Sequence, residues 1–208
     1  MKFKNKLKYN SNLAEIVGIM LGDGCLYKDY KNKYHSTVTF HKNEVAYKNY
    51  VKKLFEEYFG YKFYFKDLKF CNQLTNVSVF VGEQFLYAKL KVGSKLKYKA
   101  TIPEWIFKRK LWLKCCIRGI FDTDGCVYRK YDYFKQIQIK FACLETTQSV
   151  HRAFLLLGFK PTRIQKGVSG NYIHWKFYLS KQQEIDKFFT FVQPRNKKHV
   201  DRYLEIVK

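Results

Sequence analysis

Two aspartates, Asp23 and Asp124, carry the clearest chemistry in this sequence. Each ends an apolar run with an internal glycine and is followed by Gly-Cys: Ile16-Val17-Gly18-Ile19-Met20-Leu21-Gly22-Asp23-Gly24-Cys25 and Ile117-Arg118-Gly119-Ile120-Phe121-Asp122-Thr123-Asp124-Gly125-Cys126. At a helix C-terminus the macrodipole disfavours a carboxylate by a few tenths to about 1 kcal/mol, and two carboxylates side by side also repel. A cation relieves both penalties. Oxygen ligands with no paired His or thiolate favour Mg2+ over zinc, with Mn2+ or Ca2+ as substitutes. Such an ion lowers the pKa of bound water and stabilises the attacking and leaving oxygens of a phosphodiester. In the competing reading both Asp-Gly pairs are only helix-ending turns. Their recurrence at matched positions in a basic chain weighs against it.

Bringing the two aspartates together requires two helices in close contact. On a helix, Ala14, Val17, Gly18, Leu21 and Gly22 fall on one stripe, and their counterparts are Cys115, Arg118, Gly119, Asp122 and Thr123. A glycine inside a helix costs about 1 kcal/mol relative to alanine. Its recurrence at matched positions predicts that Gly18 and Gly119 are the contact points.

The offset between the motifs (124 − 23 = 101) persists beyond them, as an internal duplication requires. Polar and aromatic runs, Leu26 to Tyr30 and Val127 to Tyr131, lead into alternating segments, Ser36 to His41 and Gln136 to Phe141. Helical spacing follows at Val45 to Tyr58 and Val150 to Leu157. Further strands are expected at Tyr61 to Lys66, Leu74 to Val81, Lys160 to Lys166 and Tyr172 to Leu179. Third helices are expected from Glu83 to Lys91 and from Lys181 to Val192, with a connector at Gly93 to Pro103 and a closing helix from Lys198 to Val207. Paired strands between helices predict an α+β fold of two pseudo-symmetric αββαββα repeats, 1–98 and 99–208, with helices on one face of each antiparallel sheet. The other face is left open. Tyr27, Lys28, Tyr30, Lys31 and Lys33, with Arg129, Lys130, Tyr131, Tyr133 and Lys135, populate that face or its loops.

Forty Lys and Arg against seventeen Asp and Glu give the 208-residue chain a net charge of +23, the footprint of a polyanion binder. With 47% hydrophobic residues it can build a core, so disorder is not expected. No apolar run approaches the roughly 20 residues of a membrane span. The basic N-terminus, Met1 to Lys8, lacks an apolar segment and reads as a short arm, not a secretion signal, which implies an intracellular protein. Six cysteines without a C-x-x-C pair read as buried, reduced thiols with no metal or redox role. Trp105, Trp112 and Trp175 are expected in the core.

The two motifs resemble the signature of the LAGLIDADG homing endonucleases, in the single-chain form that carries two copies. The match runs over Ile16 to Gly24 and Ile117 to Gly125, and the duplicated element order agrees over nearly the whole chain. The resemblance implies a metal-dependent double-strand DNA endonuclease, acting as a monomer. It also implies that Asp23 and Asp124 are the metal-binding acids, with the backbone carbonyls of Gly22 and Thr123 beside them. The sixth motif position departs from the family pattern, being Leu21 in one copy and Asp122 in the other. Asp122 is therefore not assigned to the metal, and pairing with Arg118 is its expected role. Arg118 itself replaces an apolar interface residue. By the same resemblance a lysine late in each half organises water at the scissile phosphate; Lys95 and Lys197 are the candidates, with Lys198 close behind and Lys42 weaker.

The resemblance also implies that the two open sheet faces form a saddle over double-stranded DNA, where strands in the major groove read base edges, Arg and Lys suited to guanine and Asn and Gln to adenine. Alternation nominates Thr37, Thr39 and His41; Gln136, Gln138 and Lys140; Lys62, Tyr64 and Lys66; and Arg163, Gln165, Asn171, His174 and Lys176; Lys166 joins them as a DNA-binding candidate. Differences between the halves predict an asymmetric or pseudo-palindromic target. Two alternatives share the scaffold: an RNA maturase that helps an intron RNA to splice, and a non-catalytic DNA-binding regulator.

Overall fold

A computed structural model describes residues 8–131 and 134–205. The proposed basic arm, apart from Lys8, lies outside the described residues, as do Tyr133 and Val207.

The first half runs α1 (Ser11–Leu21), β1 (Gly24–Lys28), β2 (Tyr34–His41), α2 (Val45–Phe59), β3 (Tyr64–Asp67), β4 (Cys71–Val77) and α3 (Val79–Tyr87). After a short helix, α4 (Glu104–Phe107), the order repeats as α5 (Lys110–Asp124), β5 (Gly125–Tyr131), β6 (Phe134–Phe141), α6 (Leu144–Leu156), β7 (Gln165–Ser169), β8 (Tyr172–Leu179) and α7 (Gln182–Val192). Helix α8 (Lys197–Glu205) closes the described chain. Each half holds one antiparallel sheet, ordered β1-β2-β4-β3 and β5-β6-β8-β7. The α+β class and the duplicated order are as expected.

Helix α1 begins where the Asn10 side chain accepts from the Leu13 amide at 2.9 Å. From Leu13 to Leu21 every residue is buried, because one side of α1 meets α5 and the other meets the first half's core. The helices touch where the glycines predict. A Cβ on Gly18 would land on the Cys116 carbonyl, and one on Gly119 would land on the Glu15 carbonyl and 2.8 Å from the Ile19 amide. Backbone cannot swing aside as a side chain can. Gly18→Ala is therefore expected to cost about 3 kcal/mol, the upper end of overpacking, seen as a lower urea midpoint at unchanged m-value.

Strand alternation separates the sheet faces. Leu26, Val38, Phe40 and Leu74 are buried under the helices of the first half, as are Val127, Ile137, Ile139, Phe177 and Leu179 in the second. Residues of the opposite parity face away from the helices.

Several boundaries differ from expectation. The strand expected to run from Leu74 to Val81 stops at Val77, because Ser78 accepts from the Val81 amide and caps α3; that helix spans Val79–Tyr87, not Glu83 to Lys91. Strand β3 starts at Tyr64, since the Phe63 amide is held by Glu56 at 2.9 Å. Strand β7 starts at Gln165, after a Pro161 stretch in which Thr162 bonds both ways to Tyr178. Cysteine burial is also only partial: Cys115, Cys116 and Cys143 are buried, but Cys25 is exposed because its place on β1 faces away from the core. Trp105 is in the core, whereas Trp112 and Trp175 are partly exposed.

Candidate metal and nucleic-acid site

The packed pair α1 and α5 ends with its two motifs in contact. A Cβ on Gly22 would sit 2.7 Å from Thr123 Cβ and 3.0 Å from Asp124 Oδ2, so any larger residue at 22 would push the second motif away. Asp124 is half-buried; desolvation first, then the neighbouring Asp23 charge, raises its carboxyl to about 7 against a pull from Lys95. Asp23 keeps contact with solvent, yet the protein crowding it also raises its carboxyl, by desolvation first, while Lys95 and Lys198 lower it and Glu44 raises it. The Thr123 hydroxyl donates back to the Gly119 and Ile120 carbonyls at 2.9 and 3.0 Å.

Lys95 reaches this end of the helix pair from the connector. Its ammonium donates to the Leu21 carbonyl at 2.9 Å and to the Gly22 carbonyl, with the Met20 carbonyl at 3.4 Å, satisfying orphan carbonyls of α1. Burial lowers its pKa, while Asp124 and Asp23 resist that shift. Beside it lies a cavity of about 460 Å³, lined by Leu26, Leu90, Tyr98, Asp124, Lys140 and Phe141 among others.

Lys197 is not brought to the aspartates: it is exposed and pairs with Asp201 one turn on, at 2.6 and 2.7 Å. Lys198 instead points toward Asp23, pairing with Glu44 at 3.1 Å. Lys42 is exposed in the turn between β2 and α2. Asp122 does not pair with Arg118. It is buried at 1% exposure and accepts from the backbone amides of Arg195 and Asn196 at 2.9–3.1 Å, its carboxyl raised by desolvation to about 7. Arg118 turns across the helix interface to Glu15, at 2.7 and 3.1 Å. A local i, i+4 pairing is displaced here by a buried cross-helix partner.

The adjoining carboxylates fit an oxygen-liganded divalent cation, since Lys95 alone leaves Asp124 only weakly acidic. Among the described residues no group of three or more His, Cys, Asp or Glu side chains could hold a metal. Remaining ligands would have to be carbonyl, water or phosphate oxygens, the usual completion around Mg2+. A pH test follows. Asp124 is raised in the fold, so the unfolded chain gives up its proton first, and stability without metal falls as pH rises from about 4 to about 7. Adding Mg2+ at pH 8 is expected to raise the melting temperature, and Asp23→Asn with Asp124→Asn to remove that rise.

On the face turned away from the helices lie Tyr27, Thr37, Thr39, His41, Tyr64 and Lys66 of the first sheet. The second sheet places Gln136, Gln138, Lys140, Gln165, His174 and Lys176 there. Gln136 is largely enclosed, held between Tyr128 and Ser180 at 2.6 Å each. Lys31 and Lys33 lie in the β1–β2 loop, Asn171 in the β7–β8 turn, and Lys62 and Arg163 just before β3 and β7, all exposed. Lys28 sits over the Tyr34 ring and Lys166 over the Trp175 ring, on the opposite parity. Arg129 lies in a cleft with Arg202 of α8, and the neighbouring Lys130 is exposed where β5 bulges. Lys135 is buried against Tyr203 of α8, because that helix covers this end of the sheet.

Sequence reading missed Gln73 and Thr75, which share the open face through pairing with Thr39 and Thr37. The alternation of Cys71 to Val77 carries that signal. Glu44 and Asn196 were also missed, because their partners are far apart in sequence.

Residues 113–207 match the model of the LAGLIDADG-like domain. The fold is similar to that of I-DmoI in a structure with DNA and Mn, at TM-score 0.65 and 17% identity, covering 88% of this chain and 96% of that one. I-SmaMI bound to uncleaved DNA with calcium matches at TM-score 0.58 and 12% identity, covering 96% and 90%. Full-length DUF199/WhiA from Thermatoga maritima matches at TM-score 0.59 and 16% identity; it covers all of this chain, which spans 63% of that protein. No curated protein matches in sequence.

Proposed function

Starting from a chain whose residues 113–207 are a LAGLIDADG-like domain, we propose that it is a site-specific, metal-dependent endonuclease that breaks both strands of DNA. It works as a monomer built of repeats 1–98 and 99–208, inside the cell, on an asymmetric or pseudo-palindromic target. The observation that carries this reading is the contact between the two motif ends, where Gly22 packs on Thr123 and Asp124 and the charge of Asp23 acts on Asp124.

Asp23 and Asp124 would hold Mg2+, or Mn2+ or Ca2+ in its place, with the Gly22 and Thr123 carbonyls nearby. When bound, the cation supplies a more acidic water and neutralises charge on the phosphate. The protein does the rest. Lys95, fixed on the α1 carbonyls, faces the phosphate with a positive charge that does not move during reaction. As a water oxygen bonds to phosphorus and releases a proton to solvent, the bond from phosphorus to the leaving sugar oxygen breaks, and that oxygen takes up a proton from solvent. The faces carrying Thr37, Thr39, Gln138, Lys140 and Lys176 read base edges in the major groove, and the loop lysines hold phosphates.

A randomised duplex library, incubated with Mg2+ and sequenced at cut ends, tests the proposal. Defined double-strand cuts support it. Absence of cutting with every divalent metal, despite tight binding, overturns it in favour of the RNA maturase or the DNA-binding regulator. Because phosphate contacts dominate, the logarithm of affinity is expected to fall linearly with that of salt, losing about a thousandfold or more between 50 and 200 mM. A flat salt response would speak against a DNA-binding saddle.

A further inference from the structure

The two motif helices end on matching side-chain caps. Lys95 Nζ donates to the Leu21 carbonyl at 2.9 Å, and Asn196 Nδ2 donates to the Asp122 carbonyl at 2.9 Å. Donor and acceptor are both displaced by the offset that relates Asp23 to Asp124 (196 − 95 = 122 − 21 = 101). Just beyond each cap a lysine reaches a glutamate at the start of the matching helix, α2 or α6: Lys198 pairs with Glu44 at 3.1 Å and Lys99 with Glu145 at 2.7 Å, the two glutamates again 101 apart (145 − 44). The alignment of Lys95 with Lys197 is thus one residue out of register.

We infer that Asn196 stands in the second repeat where Lys95 stands in the first, so that the cleavage centre carries this cation on one side only and cuts the two DNA strands in a fixed order. The inference rests on the endonuclease reading and adds to it. Lys95 is a charged group held on the first motif's carbonyls, and it interacts more strongly with Asp124 than with Asp23. Asn196 is neutral and 2% exposed, and its amide is committed to the Asp122 carbonyl and to Glu44 Oε1, each at 2.9 Å. It can position the chain but cannot offset charge developing on a phosphate. Lys198 brings a cation toward Asp23, but it is neutralised by Glu44 and lies on a more exposed stem.

The test uses the target recovered by library selection, with each strand carrying its own end label. Wild type is expected to accumulate an intermediate nicked in one strand. Lys95→Gln keeps a donor for the Leu21 carbonyl and removes the charge; it should slow the faster strand at least about tenfold and the other far less, abolishing the order. Lys95→Arg should retain the order, which a purely capping role does not predict, since glutamine caps as well. Equal strand rates in wild type, or equal slowing of both strands by Lys95→Gln, overturns the inference while leaving the endonuclease intact. No cutting by wild type removes both. If melting shows that Lys95→Gln is unfolded, Asn196→Lys decides: a faster slow strand supports the inference, and an unchanged order with the variant folded overturns it.

Discussion

Converting Asp23 and Asp124 together to asparagine is expected to reduce cleavage at least about a thousandfold, some 4 kcal/mol of barrier, while leaving salt-sensitive DNA binding in place. Asparagine preserves size and a carbonyl oxygen but removes both negative charges, and those charges are what would hold the cation. They sit where the motif ends meet, one half-buried and one open to solvent, and the Lys95 charge acts on both. Cleavage rates on the selected target, with binding measured by fluorescence anisotropy in parallel, separate the two effects. Retained cleavage in the double variant would remove these aspartates from the chemistry.

Glu15→Ala is expected to destabilise the fold by about 3–5 kcal/mol, the cost of leaving one partner of a buried ion pair unmatched. Glu15 and Arg118 meet between α1 and α5 with side chains 4% and 9% exposed, and Glu15 also accepts from the Tyr50 hydroxyl at 2.6 Å. Arginine cannot shed its charge on losing its partner. Urea unfolding measures the loss. Glu15→Leu combined with Arg118→Met should recover most of it, because an apolar pair of similar volume avoids the desolvation of two charges. Failure of the double variant to recover would place the stabilisation in the Tyr50 contact instead.

The element order, the antiparallel pairing and the helix contact at Gly18 and Gly119 were readable because they rest on local periodicity and on an internal repeat of constant offset. A glycine inside an apolar helix has few reasons to recur, and close backbone approach is the strongest of them. Boundaries were less readable. Val79 to Val81 look like strand by residue type, but the Ser78 hydroxyl starts a helix there, and one side-chain hydrogen bond outweighs a small β preference. Strand β4 also begins at Cys71, ahead of the expected Leu74, which is why Gln73 escaped notice.

By itself the sequence determined the class of the fold, its duplication, its positive charge and the pair of aspartates, all of which follow from composition, period and spacing. Only the tertiary structure decided which partners the polar residues take. Asp122 holds the amides of Arg195 and Asn196, Arg118 crosses to Glu15, and Lys197 turns to Asp201 while Lys198 faces Glu44. Charge pairing is unspecific along a chain with forty Lys and Arg. Burial and backbone geometry select among those partners, and they exist only once the two repeats have closed on each other.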